Sequence, residues 1–142
     1  MKNILVFPCG SEIALEVARA LRSSTHFHLI GGSSVADHGR FVFSDIEENL
    51  PWESDNGFIS AIKDVVERRH IDLIYPAMDN SIVTLKRAET ELGCRVIGSE
   101  LETTEICLSK SRTYKMLRDE VRVPELYTPD SIPKYPVFCK PD

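Results

Sequence analysis

Residues 2–21 read KNILVFPCGSEIALEVARAL, and their pattern decides the fold. Ile4, Leu5, Val6 and Phe7 form an unbroken apolar run, as expected of a strand buried on both faces of a sheet. Pro8-Cys9-Gly10-Ser11 then breaks the run, and the Ser11 hydroxyl can accept an orphan backbone N–H and so cap a helix. Ile13, Val17 and Leu21, with Ala14 and Ala18, follow at helical spacing and predict one buried stripe. The unit is strand, tight turn, helix.

The same alternation continues downstream. Residues 27–30 predict a second strand, stopped by Gly31-Gly32-Ser33-Ser34. Residues 40–43 are compatible with a short strand, and 47–55 with a loop in which Trp52 either packs or stands exposed. Gly57 opens a helix with Phe58, Ile62, Val65 and Val66 inward, and residues 72–76 form a third strand. Asn80 or Ser81 is placed to cap a helix carrying Ile82, Leu85, Ala88 and Leu92, which Gly93 ends in a left-handed conformation. Residues 94–98 make a fourth strand, and Ser99 with Glu102 has capping-box spacing for a short helix through Glu105. Strands separated by helices describe an α/β fold, a parallel doubly wound sheet with helices on both faces.

Composition narrows the function. With 142 residues, 42% hydrophobic and 27% charged, the chain is of ordinary globular make-up rather than disordered or collagenous. A net charge of −5 has the wrong sign for a dedicated nucleic-acid binder. No run approaches the roughly 18 apolar residues of a membrane span, and the first strand is too short for a signal peptide. A cytoplasmic protein without nucleic-acid or membrane partners is expected. Cys9, Cys94, Cys107 and Cys139 lie far apart, which reads as reduced thiols, mostly buried, with no chelating pair for zinc. His26 and His28 alternate on a strand and lack a third metal ligand; a satisfied strand-edge pair is expected.

Ligands of open parallel sheets bind beyond the carboxyl ends of the strands. Residues 8–12, 31–34 and 77–81 therefore matter most. The first loop has a single glycine where a dinucleotide fingerprint needs three, and the second strand ends in Gly31-Gly32 rather than an acidic residue; both features disfavour NAD. Gly10 and Ser11, at a helix N-terminus, either hold an anion or form a plain turn. Asp79 follows the third strand where a receiver-domain phosphoacceptor would sit, yet Pro8-Cys9-Gly10 lacks the acidic pair such domains need. Asp79 and Asn80 remain as polar substrate contacts or as a turn and helix cap.

After Leu108 the character changes. Residues 109–121 predict a helix with Tyr114, Leu117 and Val121 inward and Lys110, Arg112, Lys115 and Arg118 outward. Val123-Pro124 closes it, and residues 136–139 read as a new strand reaching Lys140. A strand begun and soon stopped leads us to expect a fragment of a longer chain. Residues 109–117, SKSRTYKML, and 135–142, YPVFCKPD, together resemble the ATP-grasp superfamily, and within it the carbamoyl-phosphate-synthase-like ligases. Their pattern is a lysine opening a helix, an aromatic and a leucine inside it, Val-Pro, then a Tyr-Pro-apolar-apolar-Lys-Pro strand.

The resemblance implies that residues 1–106 are a Rossmann-like preATP-grasp domain and 107–142 a linking helix and the first strand of an ATP-grasp domain. It implies that Lys110 and Lys140 face the phosphates of ATP. It also implies Mg2+, a small-molecule carboxylate as substrate, and a substrate cleft near Gly10, Ser11, Asp79 and Asn80. The parent would activate the carboxylate as an acyl-phosphate and join it to an amine or similar nucleophile. Ser109 departs from the aspartate common before that lysine, and the first loop lacks the family's glycine-rich form. The family's glycine-rich phosphate loop, adenine-contacting strand and magnesium carboxylates lie downstream of its corresponding lysine, so this chain alone is expected to be inactive. A homodimer through the interrupted strand is compatible with the pattern, as is the alternative of a non-catalytic Rossmann-like module that binds a small ligand.

Overall fold

The structure, a computed structural model, describes residues 1–140 and 142. Its centre is a parallel sheet of β1 (Lys2–Phe7), β2 (Phe27–Gly32), β3 (Ile46–Glu47), β4 (Leu73–Pro76) and β5 (Arg95–Val96), in the order β3-β2-β1-β4-β5. β1 is central, pairing β2 from Lys2–Phe27 onward and β4 from Ile4–Leu73 onward. Burial on both sides explains its unbroken apolar run: Leu5 and Phe7 face one core, and Ile4 and Val6 face the other.

The first core is closed by α2 (Phe58–Arg68), α3 (Asp79–Arg87) and α4 (Glu89–Leu92). Phe58, Ile62, Val65, Leu85 and Leu92 from these helices meet Leu5, Phe7, Ile30 and Ile74, and the Phe7 and Phe58 rings lie 5.1 Å apart. The second core is thinner. There α1 (Glu12–Leu21) lays Ala14 and Ala18 against Ile4, Val6 and Phe43. Small alanines let this helix approach the sheet closely. The predicted stripe is rotated by about one position, because Ile13 is 54% exposed.

The sheet has a strand more than the pattern predicted. Residues 40–43 are not a strand: His38–Phe41 forms a 3-10 turn capped by Asp37, whose carboxylate accepts from the Gly39 N–H at 2.9 Å. The edge strand is instead β3, which ends at Glu47 where the loop was expected to begin, and it is too short to show a period. Trp52 is exposed. Ser11 caps α1 as expected, accepting from the Ala14 N–H at 3.2 Å. The other two predicted caps do not form. Asp79 and Asn80 already lie inside α3, and the Ser81 hydroxyl donates back to the Met78 carbonyl at 2.8 Å. Ahead of α5 (Leu101–Leu108), Glu100 rather than Ser99 occupies the cap position and makes no side-chain bond. Gly93 ends α4 at φ +68°, the left-handed value that favours glycine.

The last helix, α6 (Lys110–Leu117), is shorter than predicted and buries none of its residues; Leu117 and Val121 are exposed. Residues 136–139 form no strand. Of the cysteines only Cys9 is buried; Cys94 is half-buried and Cys107 and Cys139 are exposed, all four being free thiols. At His28 the outer edge of β2 carries no strand, since β3 pairs only with Gly31 and Gly32, and the His28 Nε2 sits 2.9 Å from an Asp45 carboxylate oxygen. Among the described residues no helix is long and apolar enough to cross a membrane.

Candidate functional site

Strand order reverses between β1 and β4, and at such a point the loops at the carboxyl ends of the strands diverge and leave a crevice. Pro8–Ser11 leaves β1 on one side; Ala77 and Met78 leave β4 on the other, with the Ala77 N–H bonded to the Phe7 carbonyl at 2.7 Å. Gly10 and Ser11 therefore stand on one lip, and Asp79 and Asn80, both exposed, on the other.

Gly10 is covered by the chain itself. A methyl group built on its Cα would fall 1.9 Å from an Asp37 carboxylate oxygen and 2.2 Å from the Asp37 Cγ. The carboxylate thus lies directly on the glycine backbone beside the N-terminus of α1. Ser33 reaches the same carboxylate from the end of β2, with its hydroxyl at 3.4 Å. Beneath, burial pushes the Cys9 thiol up to about 11, and the Asp37 charge adds to the rise, so Cys9 stays a protonated packing residue. Sequence reading missed Asp37 because it looked for an acid at the end of the second strand. The available signal was Asp37-His38-Gly39, an aspartate two residues before a glycine, which forms local side-chain turns.

On the other lip, Asp79 opens onto a cavity of about 150 Å³ between α3 and α5, walled also by Ile82, Ser99, Thr103, Cys107 and Leu108. Gly98 permits the close approach of these walls: a Cβ there would lie 2.7 Å from Ile82 Cδ1. Asn80, Gly10 and Ser11 do not line this cavity, so of the four predicted substrate residues only Asp79 reaches it.

Lys140 folds back onto α6, the helix that Lys110 opens. Lys110 is the first residue of the helix, and Tyr114 follows one turn later on the same face. The Lys140 ammonium donates to Tyr114 Oη at 2.7 Å and lies 5.3 Å from the centre of its ring. Thirty residues of sequence separation are thereby folded back along one helix face. The start of the same helix holds an anion: the Asp142 carboxylate accepts from Ser109 Oγ at 2.9 Å, Ser111 Oγ at 2.7 Å and the Ser111 N–H at 2.6 Å. The Ser111 hydroxyl and backbone bonds, with Ser109 and the Lys110 charge, hold that carboxyl below the usual aspartate range. The two serines were not singled out from the sequence. Their signal is Ser-x-Ser at a helix start, two hydroxyls flanking the first lysine.

A phosphate group would meet here the donors that Asp142 now engages, two serine hydroxyls and the Ser111 N–H, with the Lys110 charge beside them. Magnesium is different. Among the described residues no group of three or more His, Cys, Asp or Glu side chains is placed to hold a metal ion.

No known protein family's sequence profile matches the chain, and no curated protein matches it significantly. Solved structures do. The biotin carboxylase domain of a single-chain bacterial carboxylase superimposes with a TM-score of 0.62 at 15% identity, over 84% of this chain and 29% of that one. A complete multifunctional pyruvate carboxylase from Rhizobium etli gives 0.64 at 20% identity, over 89% of this chain and 13% of that one. An L-amino acid ligase from Bacillus licheniformis gives 0.61 at 16% identity, over 84% and 29%. The chain therefore spans under a third of the length of each of these proteins. Its fold is the Rossmann-like α/β fold that these structures share with it over the superimposed region.

Proposed function

We propose that this chain is the N-terminal part of an ATP-grasp ligase of the carbamoyl-phosphate-synthase-like kind, with residues 1–106 as its preATP-grasp domain and 107–142 leading into the ATP-grasp domain. The observation that carries the reading is the return of Lys140 onto the helix opened by Lys110. In this reading both ammonium groups neutralise the phosphates of ATP. Their work is electrostatic, because phosphoryl transfer depends mainly on positioning and on compensating charge. The Ser109 and Ser111 hydroxyls and the Ser111 N–H would donate to phosphate oxygens, the role they now fill toward Asp142. Mg2+ would be held by residues outside those described.

The complete reaction is the attack of a substrate carboxylate on the terminal phosphorus of ATP, releasing ADP. An amine then attacks the acyl carbon and phosphate departs. The crevice between Gly10-Ser11 and Asp79-Asn80 is the proposed substrate cleft. Asp37 and Asp79 place a carboxylate on each lip, which suits the amine partner better than the anionic one.

ATP-dependent turnover by the complete natural gene product tests this reading. Lys140→Ala should lower it by about a hundredfold, within the range typical of lost charge stabilisation at a reacting phosphate. Turnover unchanged within about threefold would remove Lys140 from the nucleotide site. A natural product with no ligase activity that binds a small metabolite would instead identify a Rossmann-like binding module.

A further inference from the structure

A groove of about 450 Å³ runs beside α6, and Ser111 lies on its wall. Val123, Pro124 and Leu126 form its apolar side, and Arg112, Lys115 and Arg118 edge it with Tyr114 between them. Charge is concentrated here. Residues 109–122 carry five cations against two carboxylates, on a chain whose net charge is −5. Few of these cations are neutralised: Arg112 comes no nearer than 3.9 Å to Glu105, Arg118 pairs only with its neighbour Asp119 at 3.8 Å, and Lys115 makes no ion pair among the described residues. Several apolar side chains of the C-terminal segment are also exposed. Met116, Leu117, Val121, Leu126 and Phe138 are all exposed, Phe138 by 88%. Within the groove itself, Val123, Pro124 and Leu126 form one apolar strip bordered by Arg112, Lys115 and Arg118, and an apolar strip rimmed by charge marks an interaction site.

We infer that this groove docks an acidic polypeptide segment, one whose apolar side chain drops against Val123, Pro124 and Leu126 while flanking carboxylates pair with Arg112, Lys115 and Arg118. Charge complementarity selects the acid, since three cations converge on one apolar slot. The apolar floor selects a polypeptide over a bare phosphate, which would gain nothing from Leu126 or Pro124. A nucleic acid is disfavoured by the negative charge of the rest of the chain. None of these three cations belongs to the proposed nucleotide site, but the groove shares Ser111 and Tyr114 with it, so competition by ATP is what separates the two readings.

The test titrates this chain into a fluorescently labelled synthetic peptide of repeating Glu-Leu-Glu-Ser and follows anisotropy, with Gln-Leu-Gln-Ser and Lys-Leu-Lys-Ser peptides alongside. The acidic peptide should bind about tenfold more tightly than the glutamine peptide, as three exposed ion pairs of ordinary strength allow. The lysine peptide should not bind. Combined Arg112→Glu, Lys115→Glu and Arg118→Glu should invert the preference between acidic and basic peptides, and Leu126→Ser should weaken both the acidic and the glutamine peptide. All four positions are exposed or line the groove, so the fold is retained. Equal binding of the acidic and glutamine peptides, or no binding at millimolar protein, would overturn the proposal. So would stoichiometric displacement of the peptide by ATP, which would make the groove a nucleotide site. Self-association abolished by the charge reversals would assign it to a second copy of this chain.

Discussion

Replacing Gly10 by alanine probes the crevice directly. The new methyl would need a neighbour at about 3.5 Å or more, yet the nearest Asp37 oxygen lies 1.9 Å from its position. The carboxylate must therefore leave. Its departure breaks the 2.9 Å bond from the Gly39 N–H that caps the His38–Phe41 turn, together with the longer contact to Ser33. Loss of an aspartate cap costs about 1 kcal/mol, within a range of roughly 0.5–2. The alanine returns about 0.5 kcal/mol by stiffening the unfolded chain. Gly10 carries no positive φ that would strain an alanine. Gly10→Ala should thus destabilise by about 0.5 kcal/mol net, and Asp37→Ala by about 1 kcal/mol, since both lose the same cap and only the first gains the alanine's stiffening. In the Asp37→Ala background, Gly10→Ala should be neutral or slightly stabilising. Urea unfolding of the four proteins, followed by far-ultraviolet circular dichroism, measures the coupling. The expected coupling is about 1 kcal/mol, with the double variant no worse than the worse single one. Additive effects within about 0.3 kcal/mol would show that Asp37 does not lie on Gly10, and the description of this lip of the crevice would fail.

Burial and charge elsewhere in the molecule lead to two further outcomes. Reaction with a thiol-specific disulfide reagent at neutral pH should modify Cys107 and Cys139 quickly and Cys9 and Cys94 only on unfolding, because burial raises the latter two thiols to about 11; four equally fast thiols would contradict the burial pattern. Bonding from Arg69 lowers the Asp45 carboxyl, and bonding from Arg68 and Arg69 lowers the Glu47 carboxyl. A lowered folded-state value means stability present above the unfolded values near 4 and lost as pH falls through the folded ones, so Arg69→Met should flatten the loss of urea stability between neutral pH and about pH 3. A slope as steep as the parent's would show that this cluster on β3 and α2 contributes nothing to acid stability.

How much of this was legible in sequence depended on range. β1, its turn and α1 could be read because each signal is local: an apolar run, a break, a hydroxyl cap. Gly93 was legible for the same reason, as one residue in one conformation. β3 was not, because two residues carry no period and its pairing with Gly31 and Gly32 is set by the sheet. Ile13 satisfied helical spacing, but the buried stripe runs one position on, through Ala14 and Ala18, and leaves Ile13 exposed. The contact of Asp37 with Gly10 joins residues 27 apart, and no spacing rule reports it. The basic outer face of α6 was visible in the sequence, whereas burial of its inner face was overestimated because periodicity cannot say whether a partner surface is present.

The central claim is that Lys110 and Lys140 form one phosphate site, and titration of ATP into this chain by calorimetry at low ionic strength tests it most directly. The account predicts weak saturable binding, loss of about fivefold to tenfold in affinity for Lys110→Ala and for Lys140→Ala, and a greater loss for the pair. Affinity unchanged in the double variant, or no binding by the parent chain at millimolar ATP, would contradict it.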